Sequence, residues 1–306
     1  MVFAPKIASR TAAKDAEMPR PAHANGSALA RDRILEAVNA LPPLPAVALR
    51  VMQVAQDPKS SAAQLALVVS ADPALSARML RVANSAAYRR SREVTSVQEA
   101  LVVLGFVQAR NIAISTAITG AYPADTLHVL FRIDAFWRHS LAVAFRASDL
   151  AGRTRRLDVP SAFTAGVLHN IGRMAMFHAD PAGLDQAIAE AIRSGRSIEE
   201  VEREQLGYDH AELGGLLAEK WNLPADICAA IGQHHQEAGE GQPSLASVVA
   251  EADRFCVSHG ILPGYVVPGA PGVVVVPDGE VAQVLKQVDT LMASITQEPS
   301  GVHLVP

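Results

Sequence analysis

The chain has 306 residues, 49% hydrophobic and 19% charged, with a formal net charge of −4 and a pI near 6.2. That length supports one large domain or two small ones, and the apolar share is too high for a disordered chain. The mild acidity argues against a generally basic nucleic-acid binder, and two cysteines, Cys228 and Cys256, cannot build a disulfide framework, which points to a reducing compartment.

Residues 1–28 are rich in Ala, Pro, Ser and charge without periodicity and read as a tail, with folded structure beginning near Leu29. Arg31–Leu41 puts Ile34, Leu35 and Val38 on one helical face, and the run Leu41-Pro42-Pro43-Leu44-Pro45 stops that helix. Pro45 suits the first turn of a second helix, which Asp57-Pro58 ends. Ser60 or Ser61 can cap a third. Asp72 before Pro73 opens a fourth, placing a side-chain acceptor beside free backbone N–H groups and then a residue that has none. Ser96 with Glu99 three residues on is a capping-box start for a helix through Leu101, Leu104 and Val107 that continues or restarts around Ile112. Further helices are expected at 125–151, 160–179, 181–194, 197–205, 208–221, 224–237 and 244–259, with a last one at Gly279–Ile295. No convincing strand precedes residue 265, and Val273–Val276 fits either a short strand or an extended tail.

The expected fold is therefore all-α, a multi-helix bundle with an interruption near residues 120–125, where Gly120 and Pro123 fall. A helical part at 29–122, a second at 123–260 and a C-terminal extension at 261–306 follow from that reading. No apolar run reaches the roughly 18–20 residues of a membrane span. The most apolar stretch, Leu101–Ile118, is broken by Gln108, Arg110 and Asn111. The N-terminus lacks the apolar core of a signal peptide, so a cytoplasmic globular protein is expected.

Histidine is the informative residue. Five of the ten, His139, His169, His210, His234 and His235, fall on expected helices together with a late carboxylate, Asp253. Helices can project imidazoles and a carboxylate into a bundle core, where a transition metal such as Fe, Mn or Zn binds them. A single buried histidine is more often a hydrogen-bonded core residue, and His234 and His235 differ by about 100° around a helix, so order alone is weak evidence.

The surrounding words are more specific. Leu41-Pro42-Pro43-Leu44-Pro45-Ala46-Val47, Ser70-Ala71-Asp72-Pro73-Ala74-Leu75-Ser76, Ala83-Asn84-Ser85-Ala86-Ala87-Tyr88, Ser96-Val97-Gln98-Glu99-Ala100 and Leu104-Gly105-Phe106 resemble the HDOD domain, the HD-related output domain of bacterial signalling proteins. The second half is similar to the HD superfamily of phosphohydrolases, including the branch that degrades cyclic di-GMP. That likeness rests on Trp137-Arg138-His139-Ser140-Leu141, Gly166-Val167-Leu168-His169-Asn170-Ile171-Gly172, Asp209-His210-Ala211-Glu212-Leu213-Gly214, Ile231-Gly232-Gln233-His234-His235 and Ala252-Asp253-Arg254. The resemblance covers about residues 30–260. It implies that His139 is the first metal ligand of the HD pattern, His169 the histidine of the doublet and Asp253 the closing aspartate. His210, His234 and His235 match the additional ligands of two-metal members.

Two positions depart from the pattern. The doublet aspartate, which holds and often bridges metals in active relatives, is Asn170, and the lysine that commonly follows is Arg173. An amide oxygen is a poor ligand, and arginine keeps its proton and carries a different fork geometry. Five neutral imidazoles and one aspartate leave little negative charge for two divalent cations. HDOD members are generally regarded as lacking phosphohydrolase activity, so the resemblance implies a non-catalytic signalling module acting through a protein partner or a small ligand, such as a nucleotide or cyclic dinucleotide. The alternative it implies is a metal-dependent phosphohydrolase or cyclic-dinucleotide phosphodiesterase. A third reading is a former active site that holds a metal or anion without chemistry. No receiver, cyclase or triphosphate-binding motif is recognisable, which suggests a stand-alone output unit. Two basic clusters, Arg89, Arg90 and Arg92 and then Arg153, Arg155 and Arg156, read as solvated loops more readily than as a nucleic-acid surface.

Overall fold

The computed structural model describes residues 24–88, 92–122, 130–154, 156–236, 242–265 and 279–296. Among them are fifteen helices and no strand. In chain order the helices are α1 (Ala24–Ala40), α2 (Ala46–Gln56), α3 (Ala62–Ser70), α4 (Pro73–Ala83), α5 (Val97–Leu104), α6 (Phe106–Thr119), α7 (Ile133–Thr154) and α8 (Val159–Leu168). They continue with α9 (Ile171–Ala179), α10 (Pro181–Ser194), α11 (Ile198–Leu206), α12 (His210–Lys220), α13 (Ala225–Gln233), α14 (Leu245–Ser258) and α15 (Gly279–Thr296).

Helix starts follow the side-chain acceptors. Ser61 and Gln64 form a reciprocal capping box on α3, Asp72 accepts from Leu75 N at 2.8 Å on α4, and Ser96 accepts from Glu99 N at 3.2 Å on α5. Asp158, Asp180 and Asp209 cap α8, α10 and α12 in the same way.

Several boundaries differ from the sequence reading. α1 begins at Ala24 rather than near Leu29, and its buried side carries Ile34, Ala37 and Val38 while Leu35 is exposed. The helix opening at Ser96 stops at Leu104, because Gly105 takes a left-handed φ of 76° that turns α6 by 119° from α5. α7 starts at Ile133, not 125; Phe131 and Arg132 lie outside the helix, and Arg132 N donates to Gly264 O at 2.8 Å. The expected 160–179 helix is two helices, broken at His169-Asn170, and the expected 224–237 helix ends at Gln233. Residues 1–23 and Val273–Val276 lie outside the described residues.

Apolar side chains from Ile34 to Leu291 form one continuous core. α7 packs on α8 and α14, and α13 touches α8, α12 and α14. α9 lies against α12, and α2 and α6 reach α8 from the N-terminal half. Two close approaches need glycine. A Cβ on Gly166 would stand 2.5 Å from Ala144 Cα, and one on Gly172 would stand 1.9 Å from His210 O. Their absence lets α8 close on α7 and α9 close on the start of α12.

The terminal helices tie the halves together. α1 packs on α9 and α12, where Lys220 Nζ donates to Val38 O at 3.0 Å and Asn39 Oδ1 at 2.8 Å. α15 lies across α4, α6 and α7, with Arg138 paired to Asp289 and Arg146 and Arg153 paired to Glu280. No single helix among the described residues is long and apolar enough to cross a membrane; the α5–α6 pair passes that test only as a bent pair, and Ala109–Thr119 of α6 is buried inside the fold.

Candidate metal centre

The break between α8 and α9 places the histidine doublet at a helix end. His169 is the C-cap of α8, and its ring Nδ1 lies 2.8 Å from Gly166 O, three residues back. His234 repeats the device at the end of α13, with Nδ1 2.7 Å from Ile231 O. A carbonyl oxygen only accepts, so each Nδ1 carries the proton and donates. Each ring thereby satisfies a carbonyl that its helix leaves unpaired, and each Nε2 becomes a bare lone pair. Both Nε2 atoms are buried without a hydrogen-bond partner.

His139, in the middle of α7, is held the same way from outside its helix. Its Nδ1 donates to Ile261 O at 2.7 Å, just past α14. Its Nε2 faces Asp253 Oδ1 at 3.0 Å without the alignment of a hydrogen bond, and His169 Nε2 stands 3.9 Å from the same oxygen. These three residues form one group, with their donor atoms within 4.8 Å of one another. His210, His234 and His235 form a second. The rings make a continuous series, His139 to His169 at 5.3 Å between centroids, His169 to His234 at 5.1 Å and His234 to His210 at 5.4 Å.

His210 opens α12. Glu202 Oε2 accepts from its backbone N–H at 2.9 Å and from its Nδ1 at 2.6 Å. His210 Nε2 then lies 2.9 Å from His235 Nε2, which is 3.1 Å from Glu199 Oε1. His139, His169, His210 and His234 are sealed from solvent, whereas the His235 side chain is 27% exposed at the rim. Burial holds His169, His210 and His234 well below the ordinary imidazole value, and the Arg173 guanidinium adds to the effect at His210. Burial works against ionisation of Asp253, but its contact with His139 prevails and holds its carboxyl well below the usual range. Neutral imidazoles beside an ionised carboxylate are the states a metal requires of its ligands.

Asn170, at the N-cap of α9, is buried, and its Oδ1 has no hydrogen-bond partner. Arg173 is buried one turn on, with Nε 3.7 Å from Glu202 Oε1 and its guanidinium 5.0 Å over the Tyr265 ring. Burial drives the Glu202 carboxyl up to about 7, against the pull of Arg173.

The sequence reading brought together all six of the proposed donors, but it counted only Asp253 as negative charge. Glu199 and Glu202 also lie beside the histidines, with both carboxyls pushed up by burial. Both sit in the acidic stretch Ile198-Glu199-Glu200-Val201-Glu202 of α11. One signal was present: Glu202 falls four residues after Ile198 and beside Val201, on the buried stripe of α11. The positions of the histidines also need correcting, since His169, His234 and His235 lie at helix ends rather than within helices.

Each buried, unpartnered polar atom costs roughly 1–3 kcal/mol. His139 and His169 bring two such atoms to one group, and His234 brings a third to the other. The donors are imidazole nitrogens with one carboxylate, Asp253, a set that suits Zn, Fe or Mn rather than the oxygen-rich shells of Mg or Ca. The residues present thus fit a divalent transition metal.

Other candidates lie apart from this centre. Cys228 and Cys256 are free and buried, and burial pushes both thiols up, away from nucleophilic reactivity. Arg92 pairs with Glu99 and Arg153 with Asp149 and Glu280, while Arg89, Arg90 and Arg155 lie outside the described residues. Trp137, Trp221 and Phe136 are core residues.

An uncharacterised protein of Treponema pallidum (strain Nichols) is 26% identical over 229 residues, 72% of this chain and 43% of that protein. Ribonuclease Y of Lawsonia intracellularis (strain PHE/MN1-00) is 33% identical over 127 residues, 42% of this chain and 18% of that enzyme. The chain spans less than half the length of these curated relatives. Among solved structures, an HDOD domain protein of unknown function from Geobacter sulfurreducens superposes with a TM-score of 0.64 at 24% identity, over 86% of this chain and 93% of that one. A candidate phosphohydrolase from Shewanella amazonensis SB2B superposes with a TM-score of 0.64 at 28% identity, over 86% and 98%. A candidate signal transduction protein from Marinobacter aquaeolei VT8 gives 0.67 at 24%, over 89% and 67%. The sequence pattern of the HDOD domain matches residues 41–237. With most of its length so matched, and with the all-α architecture of these neighbours, the chain belongs to the HDOD domain family.

Proposed function

We propose that this protein is a signalling module that holds a divalent transition metal at its histidine centre and does not hydrolyse phosphoesters. The carrying observation is the pair of helix-end histidines, His169 and His234, whose Nδ1 atoms are spent on backbone carbonyls while their buried Nε2 atoms have no partner. His139, His169 and Asp253 would hold the ion. They come from α7, the end of α8 and α14, so loading ties three helices together. His210, His234 and His235 lie beside them. A metal bound there would acidify a bound water and polarise a phosphoryl oxygen.

The chain's own residues argue against carrying that chemistry through. Asn170 offers a neutral amide where a bridging carboxylate is expected. Arg173 is buried between Glu202 and Tyr265 and keeps its proton, so it cannot relay one. The signal would pass by contact with a protein partner, the output expected of this family, in the cytoplasm.

One observation favours a second reading, a phosphohydrolase acting on a nucleotide or cyclic dinucleotide: the 28% identity to the Shewanella amazonensis protein. A single assay separates the two. The chain loaded in turn with Mn2+, Fe2+ and Zn2+ is incubated with bis(p-nitrophenyl) phosphate and with cyclic di-GMP. The proposal expects no turnover above free metal. Turnover abolished by His169→Ala would overturn it in favour of the hydrolase.

A further inference from the structure

The outer side of the α12–α13 pair carries a furrow of about 870 Å³ that the histidine centre does not use. The two helices meet through glycine. A Cβ on Gly215 would stand 3.1 Å from Gly232 Cα, so no side chain rises between the helices there. Leu216, Leu223 and Ala229 give the furrow apolar surface, and Leu216 is 38% exposed. One wall is acidic. Glu212 and Glu219 are both exposed on α12, seven residues and therefore about 10 Å apart along one face, with Leu216 one turn from each. Neither carboxylate has an ion-pair partner among the described residues, because Arg203, the cation lining this wall, is paired with Asp209. Burial, and then the neighbouring Asp209, push the Glu212 carboxyl up, as expected of a negative charge without a cation beside it. The opposite wall carries Gln233 and Gln236 and no charge.

We infer that this furrow docks a basic amphipathic helix of a partner protein, with Lys or Arg two turns apart against Glu212 and Glu219 and an aliphatic side chain between them against Leu216. The inference rests on the signalling reading above and names the surface and the chemistry of its partner. An apolar strip edged by carboxylates at helical spacing is the complement of one amphipathic face. The ion pairs would fix register and direction, while the apolar contact would hold the helix in place. The chain's own net charge of −4 favours a basic partner over a second copy. The furrow also lies against the right elements. α12 begins at His210, two residues before Glu212, and α13 ends against His234, two residues after Gly232. A helix seated there touches both helices whose ends carry histidines of the centre.

The test uses the full chain and two fluorescent Ala-based helical peptides of about 18 residues. One carries Lys at positions i and i+7 with Leu at i+3 and i+4, and the other carries Glu in place of Lys. Binding is read by anisotropy. The wild type is expected to bind the Lys peptide at least about tenfold more tightly than the Glu peptide, with affinity falling as salt rises. Glu212→Gln combined with Glu219→Gln should weaken the Lys peptide by about tenfold or more. Glu251→Gln, which removes an exposed carboxylate from α14, should leave its affinity unchanged. Glu212→Lys combined with Glu219→Lys should transfer the preference to the Glu peptide, an outcome that loss of folding would not give. Failure of the wild type to bind the Lys peptide would overturn the docking site and leave the non-catalytic reading, which turnover decides, standing. Equal weakening by Glu251→Gln would overturn it as unspecific attraction. A wild-type dimer in sedimentation that Leu216→Asp splits would overturn it in favour of a second copy. Phosphoester turnover in the assay above would remove the signalling reading itself, whatever the peptides do.

Discussion

Glu202 Oε2 accepts two hydrogen bonds from His210, one from its backbone N–H at 2.9 Å and one from its ring Nδ1 at 2.6 Å. One carboxylate thus helps fix both the start of α12 and the direction of the His210 ring. The same carboxyl group, through Oε1, is the nearest anion to the buried Arg173 guanidinium. Removing it by Glu202→Ala leaves an uncompensated charge and two unpaired donors in the interior. The expected cost is about 3–5 kcal/mol, read from urea denaturation, with Zn2+ affinity falling roughly 10–100-fold. A variant with wild-type stability would mean that the Glu202 network carries no weight.

Asn170 is the position where charge is missing. Asn170→Asp keeps the side-chain shape and places a carboxylate at the N-cap of α9, where the helix favours it. Without metal, that buried charge should lower the melting temperature. With Zn2+ present the order should reverse, with affinity at least tenfold higher, or about 1.4 kcal/mol. Scanning calorimetry with and without Zn2+ reads both effects. Equal shifts in the two conditions would show that residue 170 does not address the ion.

The metal-free protein should lose stability in mild acid. Burial holds His169, His210, His234 and His235 below the ordinary value of 6.5. Unfolding frees them to take up protons, so below about pH 6.5 the unfolded state binds more protons than the folded one. Each such histidine can remove up to about 1.4 kcal/mol per pH unit. Glu202 works the other way. Its folded value of about 7 against 4.5 means that acidification through that window adds stability. Glu199, whose carboxyl burial also raises, acts with Glu202, so within this cluster four groups oppose two, and the urea midpoint should fall from pH 7 to pH 5 and level off above pH 7. A midpoint that holds steady or rises toward pH 5 would contradict the assigned neutral state of these rings.

α15 is fastened to the bundle through Arg146. This buried side chain on α7 donates to Glu280 Oε2 at 2.9 Å and lies 4.2 Å over the Phe255 ring of α14, two residues from Asp253. Arg146→Ala loses the cation–π contact, the ion pair and the packing of the stem, for an expected 2–3 kcal/mol. Glu280→Ala should cost less, because Glu280 is half exposed. Thermal melts of the two variants test the ranking.

Much of the fold was legible because its punctuation is local. Asp72-Pro73, Ser61 with Gln64, and Ser96 with Glu99 each announce a helix start, and each caps one. The ends were harder. Gly105 can continue a helix or turn the chain, and only packing of α5 and α6 decides that it turns. The break at His169-Asn170 carries no glycine or proline to mark it, because there the histidine ring itself takes over a helix carbonyl. The six donors of the centre were readable as a pattern, but Glu199 and Glu202 were hidden in an acidic helix whose neighbours Glu200 and Glu204 do face solvent. What brings them inward is the seating of α11 against α12 and α10, a tertiary fact with no local signature.

The most direct test of the metal centre is the metal content of untagged protein purified without chelator, measured by inductively coupled plasma mass spectrometry. The expected result is at least about one equivalent of Zn, Fe or Mn per chain, lost when His169 and Asp253 are both replaced by alanine. No bound metal, even after incubation with all three ions, would contradict it and leave the histidines as packing alone.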